Sequence, residues 1–485
     1  MAFNSLSYLI FLPVCVLLYW VMPARLRAAF LLLASYFLCL CWDVASGVTL
    51  FAVTLVAWRA ALCIARGGHK KAALTVSLVL ILGALGFFKY AQFALGSVCA
   101  LARRLGASVS TPELALFLPV GISFYAFKSA GYLIDVYRGR TKAEPNAVTA
   151  ALFIGFFPAL VSGPIDRAEG LMTQLRALHR PNYEQLMQGV LLFLWGLFLK
   201  LVLADNLAVL VNHAYADVYA HTGFQLAAAA LCYSVQIYCD FAAYTDMARG
   251  SALMLGISLM KNFDAPYFAP TVQNFWRRWH ISLSSWFRDY LYFPLGGSRC
   301  SRARHIFNVM VVFVVSGLWH GAAWTFVLWG LLHGVYQAVE ILWRPVGKRL
   351  RAALRLPERC PWLQAVQIAA TFLLVTWAWI LFRADTLRDA LYVMGAVFQA
   401  PLAFSTGYFG LSDLGLGRRS LAMLAVSVCV LLAVELRGQK CDLTERLAKR
   451  PAPRFAVCFL LIAAVLLFGA YGPGFDPQSF VYFKF

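Results

Sequence analysis

The feature that most restricts this chain is the recurrence of apolar runs long enough to cross a lipid bilayer. Twelve can be drawn, near residues 5–22, 28–42, 45–64, 73–94, 113–134, 147–164, 186–210, 225–255, 308–341, 364–382, 420–436 and 455–472. A spanning helix needs about 20 predominantly apolar residues. A water-soluble core has no use for so much apolar surface: 61% of the 485 residues are hydrophobic and 13% charged, against about 25% charged in soluble domains. The pattern predicts an all-α polytopic membrane protein, read as one integral membrane domain over 1–485.

The formal net charge is +20. The basic residues fall in short clusters between apolar runs, such as Arg66, Lys70 and Lys71, or Arg138, Arg140 and Lys142, with the largest at 344–359 and 437–454. No extended basic face results, so nucleic-acid binding is excluded as the reason for the charge. Lys and Arg collect instead in cytoplasmic loops. Arg25 and Arg27 follow the first run and place the N-terminus outside the cytoplasm. Arg454 precedes the last run and places the tail, 473–485, outside as well. Two outer termini require an even number of crossings. The N-terminus lacks the basic region of a cleavable signal. The twelve cysteines show no C-x-x-C spacing and read as small buried apolar residues, Cys15, Cys39, Cys63, Cys232, Cys239, Cys429 and Cys458 among them. No internal repeat of a transporter kind is visible.

Residues 261–306 break the pattern. The stretch is aromatic, carries Pro266, Pro270, Pro294 and a Gly296-Gly297 pair, and is too polar to span yet too apolar for a solvated loop. Such backbone is tolerated at membrane depth only where protein or a water-filled cavity covers it. Short re-entrant or interfacial helices are expected there.

Two histidines stand out. His320 lies near the middle of an apolar run, where an ionisable side chain costs roughly 2–3 kcal/mol unless it faces a cavity or a partner. Imidazole suits proton transfer near neutral pH, and a base that deprotonates a hydroxyl needs that property. A histidine bridging two helices is the competing reading. His280 ends the run Trp276-Arg277-Arg278-Trp279-His280, in which guanidinium groups could bind phosphate or anchor an interfacial helix. His333 follows His320 by thirteen residues, about 20 Å along a continuous helix, and is read as structural. Lys200, Asp205, Asp240, Asp246, Asp135 and Arg138 lie in or beside apolar runs, as a polar path or as buried pairs that cannot be matched from sequence. No H-E-x-x-H or carboxylate cluster points to a metal, and no G-x-S-x-G, P-loop or dinucleotide fingerprint is present.

Several stretches together resemble the membrane-bound O-acyltransferase family, in its bacterial alginate O-acetyltransferase-like branch. They are PVGISFYAFKSAGYLIDVYRGR (119–140), FFPALVSGPIDR (156–167), FDAPYFAPTVQNFWRRWHISLSSWFRDYLYFPLGGSR (263–299), SGLWHGAAWTFVLWGLLHG (316–334), WAWILFRA (377–384) and the ending FVYFKF. The resemblance implies about 11–12 transmembrane helices in a ring, with re-entrant or interfacial helices around a central funnel. It implies transfer of an acyl group from a cytoplasmic thioester, acetyl-CoA, to a hydroxyl, with no bound cofactor and no metal. His320 then matches the catalytic histidine and His280 the second polar position, with Asn274, Arg277 and Arg278 as candidates for holding the donor. Tyr482, in FVYFKF, matches a tyrosine thought to relay the acyl group outward. The acceptor implied is an exopolysaccharide such as alginate, reached through a separate extracytoplasmic esterase-like acetyltransferase, with the chain itself in the bacterial inner membrane. Peptidoglycan, cellulose or teichoic acid are alternative acceptors. Lys128 departs from the family, where Gln is more frequent. A transporter or flippase, or a scaffold for a polysaccharide synthase, are the readings of another class.

Overall fold

A computed structural model describes residues 2–471 apart from 162, 178, 356, 358–359, 403–409 and 440. The described residues are helical without a strand. Nine helices among them are long and apolar enough to cross a membrane, and Leu6–Val21 is a shorter apolar one. The chain is a multi-pass membrane protein.

Residues 1–193 and 245–260 form one compact unit, and 194–244 and 261–485 a second. The first contains α1 (Leu6–Val21), α2 (Ala24–Leu40), α3 (Val44–Arg66), α4 (Lys70–Arg104), α5 (Ile122–Tyr137) and α6 (Ala147–Gly155). Capping punctuates these helices. Ser5 and Asp43 accept from the backbone N–H of Tyr8 and Ser46, satisfying first-turn donors that a helix leaves open. Two expected spans come out shorter. The run at 113–134 becomes a helix only at Ile122, after Pro119 and a left-handed Gly121 (φ +75°). A Cβ at Gly121 would lie 2.5 Å from the Leu160 carbonyl oxygen. The run at 147–164 breaks at Phe156 into Ala147–Gly155 and Phe157–Leu160, with Pro158 in the second piece.

Two long helices follow, α7 (Tyr183–Ala216) and α8 (Gly223–Met254), with 67% and 72% of their apolar windows buried. Their N-terminal and C-terminal parts, respectively, meet in the first unit at Gly189 and Gly250. A Cβ on either would lie 2.7 Å from the other's carbonyl oxygen, the close approach that small residues permit between membrane helices.

The second unit holds the remainder of these two helices. It adds two short helices, α9 (Val272–Arg278) and α10 (Ile281–Phe287), and then α11 (Arg302–His320), α12 (Trp324–Ala353), α13 (Pro361–Arg383), α14 (Leu387–Ala396), α15 (Arg418–Gly438) and α16 (Pro451–Phe468). At seven residues each, α9 and α10 reach only about 10 Å and cannot span. The short-helix expectation for 261–306 therefore stands. The single run expected at 308–341 is two helices: α11 stops at His320, and α12 starts at Trp324 and folds back along it. No residue of α16 is buried, so its apolar side chains belong against lipid. The reading of the cysteines as buried is corrected at Cys41, Cys63, Cys300 and Cys429, which are exposed, and at Cys232, Cys441 and Cys458, which are half-buried.

Candidate active site

The break between α11 and α12 places His320. The residue closes α11, and Gly321 leaves the helix with its N–H donated to the Gly317 carbonyl at 3.3 Å. A side chain at Gly321 would strike the Phe326 ring. Beyond the turn, Gly317 and Gly330 sit face to face: a Cβ at Gly330 would lie 3.2 Å from the Gly317 Cα. This contact lets α12 run back beside α11 and brings Trp329 to His320, with ring centroids 5.0 Å apart.

His280 is placed by strain and by a cap. It joins α9 to α10 in the left-handed region, at φ +45° and ψ +54°, a conformation costing roughly 1–2 kcal/mol for a residue with a Cβ. Asn262 holds the turn. Its backbone carbonyl accepts from Ile281 N–H at 2.9 Å and its side-chain oxygen from Ser282 N–H at 3.2 Å, so the first donors of α10 are satisfied without a capping side chain at His280 itself. The Asp264 N–H donates to the Arg278 carbonyl at 3.0 Å and ties the approach to the same loop.

The two imidazoles lie near each other, with centroids 6.3 Å apart and ring planes inclined at 52°. His280 is fully buried and His320 is 2% exposed. Aromatic rings wall the space. Phe241 of α8 meets His280 edge-on at 4.6 Å, Trp319 lies 5.7 Å from His280, and Phe382 of α13 lies 5.4 Å from His320. A buried pair of proton-exchanging rings in an apolar wall can take a proton from a hydroxyl and return it to a leaving group while water is kept out.

The other expected residues fall less centrally. Arg277 is exposed, and Arg278 donates to the Ala265 carbonyl at 3.4 Å. The Asn274 N–H is bonded to Thr271 Oγ1 at 3.1 Å, and its side-chain oxygen is buried. His333 lies nearer His320 than a continuous helix would place it. With the helix broken at 321–323, it is not 20 Å along one axis from His320. It packs on Trp329 at 4.9 Å and its Nδ1 accepts from Trp276 Nε1 at 3.2 Å, so both histidines touch the Trp329 ring. Tyr482 lies outside the described residues.

The buried charges also find their partners. In the second unit, Lys200 bonds Asp205 at 2.8 Å and Asp240 at 2.7 Å, all three 1–2% exposed. Lys200 sits in a π-helical stretch, Leu199–Ala204, and Asn206 Nδ2 donates to the Leu201 and Val202 carbonyls there at 3.1 Å each. Asp240 precedes Phe241, so this cluster anchors the part of α8 that walls His280. In the first unit, Asp246 pairs with Arg249 at 3.0 Å and Asp135 with Arg140 at 3.8 Å. Sequence reasoning missed Asn262, Phe241, Trp329 and Phe382. Nothing local marks them, because they reach the site from four separate stretches.

The membrane-bound O-acyltransferase family matches residues 141–382, which contain both histidines and the ion cluster. The chain is 37% identical to a probable alginate O-acetylase of Azotobacter vinelandii over 90% of this chain and 85% of the relative. It is 34% identical to a peptidoglycan O-acetyltransferase of Helicobacter pylori over 79% and 77%. It is 30% identical to a teichoic acid D-alanyltransferase of Streptococcus thermophilus over 56% and 69%.

Proposed function

The chain belongs to the membrane-bound O-acyltransferase family and is a multi-pass membrane O-acyltransferase, and we propose that it moves an acetyl group from a cytoplasmic thioester, acetyl-CoA, toward an exopolysaccharide, alginate. The alginate acceptor rests on the relatives named as alginate O-acetylases. Peptidoglycan and teichoic acid follow from the other relatives. We read both compact units as parts of one enzyme, seated in the bacterial inner membrane and handing its product to an esterase-like extracytoplasmic acetyltransferase.

The observation that carries the site assignment is the buried pair of imidazoles 6.3 Å apart. At that separation the rings do not hydrogen-bond each other. In the proposed reaction His320 takes the proton of the acceptor hydroxyl as its oxygen bonds to the thioester carbonyl carbon. The C–S bond then breaks, and the imidazolium returns the proton to the departing thiolate, so that ester and thiol are the products. His280 orients the acyl group. Arg277, Arg278 and Asn274 are assigned to the donor. Tyr482 is assigned as the hydroxyl that carries the acetyl group outward.

The test is the acetyl content of the surface polysaccharide with wild-type protein and with His320→Ala at matched amounts in the membrane. Loss of acetylation supports the assignment, and normal acetylation makes His320 a structural residue. Tyr482→Phe tests the relay. The amount of protein in the membrane should persist while polysaccharide acetylation disappears, and unchanged acetylation refutes the relay.

A further inference from the structure

A cleft of about 230 Å³ opens in the first unit beside the turn between α1 and α2. Arg25, Arg27 and Arg176 line it, together with Asn146, Gln174 and His179. The charges are unevenly answered. Arg176 is bonded to the carboxylate of Glu144. Arg27 is held by neutral groups: it donates to the carbonyls of His179 at 2.8 Å, Met22 at 3.2 Å and Trp20 at 3.3 Å, and lies 5.2 and 5.0 Å from the Tyr19 and Trp20 ring centroids. Its position is thereby fixed and its charge left intact. Arg25 is exposed and has no carboxylate partner among the described residues. Three guanidinium groups against one carboxylate leave two positive charges on the cleft. The N-terminus of α2 adds to them, since Pro23 provides no capping side chain and a helix N-terminus favours negative charge.

The surroundings say what kind of anion fits. The turn lies where an apolar helix ends in Tyr19 and Trp20, the aromatic signature of a membrane interface. Beside it Leu18, Val21 and Leu26 are 47%, 77% and 50% exposed, apolar surface that needs hydrocarbon rather than water for a neighbour. A soluble phosphate would use the arginines and leave that surface bare. A lipid uses both. We propose that this cleft binds the phosphate headgroup of an anionic phospholipid, with the acyl chains lying along the exposed faces of α1 and α2. The site is independent of the acyl-transfer chemistry and would tie the first unit to the cytoplasmic leaflet.

The experiment uses the purified full chain, stripped of lipid in neutral detergent. Native mass spectrometry then follows binding of phosphatidylglycerol and phosphatidylcholine of equal chain length. Wild-type protein should prefer phosphatidylglycerol, and Arg25→Gln should weaken that preference about fivefold, the worth of one basic residue beside an anionic lipid surface. Glycerol 3-phosphate at the same concentration should not displace the lipid. Equal binding of the two lipids by the wild type overturns the proposal, and this arm stands even if the variant does not accumulate. An undiminished preference in Arg25→Gln also overturns it, and displacement by glycerol 3-phosphate makes this a site for a free phosphate instead.

Discussion

Replacing Gly330 by alanine adds one methyl group at the point where α12 crosses α11. A Cβ there would come within 3.0 Å of the Phe313 carbonyl oxygen, nearer than real Cβ atoms stand, and 3.2 Å from the Gly317 Cα. Both obstacles are backbone, so no side chain can rotate away. The helices must part by about 1 Å, because a close-packed interior has no slack to absorb the methyl. Overpacking of this kind costs roughly 1–3 kcal/mol, which a folded protein can survive. With His320 in the role proposed above, the cost to acetyl transfer is larger. His320 ends one of these helices and Trp329 stands on the other, so parting them moves His320 against its wall. A 1 Å misplacement of a reacting group can cost about 100-fold in rate. The initial rate of acetyl transfer per amount of membrane-inserted protein should fall by about that factor. Gly334→Ala is the control. Its methyl would meet Met310 Sδ at 2.8 Å, the end of a flexible chain, and the rate should stay near the wild type. A full rate in Gly330→Ala, or equal losses in both variants, would refute the argument.

Lys200→Met should be among the most damaging substitutions in the second unit. It removes the ammonium that bonds both Asp205 and Asp240, and breaking a buried pair costs about 3–5 kcal/mol; the thermal midpoint in detergent should fall sharply, and a midpoint near the wild type would show that the cluster contributes nothing. At His280 the backbone and the imidazole can be separated. Both His280→Gly and His280→Ala remove the buried ring, but His280→Gly also relieves the left-handed strain, so it should accumulate better than His280→Ala while both lose acetyl transfer. Normal transfer by His280→Gly would remove the imidazole from the chemistry.

Much of the fold was legible because a bilayer simplifies the reading. Runs such as 45–64 and 420–436 need only be apolar and long enough, and both are helices close to the expected bounds. Breaks within apolar sequence were harder to see. Hydropathy does not register Phe156, where 147–164 divides, or Gly321, where 308–341 folds back. The second break also moves His333, which a continuous helix would have carried away from His320. The buried charges were visible singly. Lys200 meets Asp240 across 40 residues of chain, and no local pattern encodes that match.

The two central histidines share a property that a periodic reading overlooks: each stands where a helix stops. His320 is the last residue of α11, and His280 lies between α9 and α10 in a conformation that glycine would adopt more easily. Helix ends free a ring from the packing of a continuous barrel of side chains and let it project into space shared by several elements. The left-handed turn at His280 is more telling than its burial, because burial alone suits any core histidine. Glycine would remove roughly 1–2 kcal/mol of strain there. Asn262 bonds the N–H groups of Ile281 and Ser282 that follow the histidine and the Phe241 edge meets its ring, and such strain persists only when the surroundings over-determine it. The strain therefore argues that the imidazole, and not merely the turn, is what the loop was built to present.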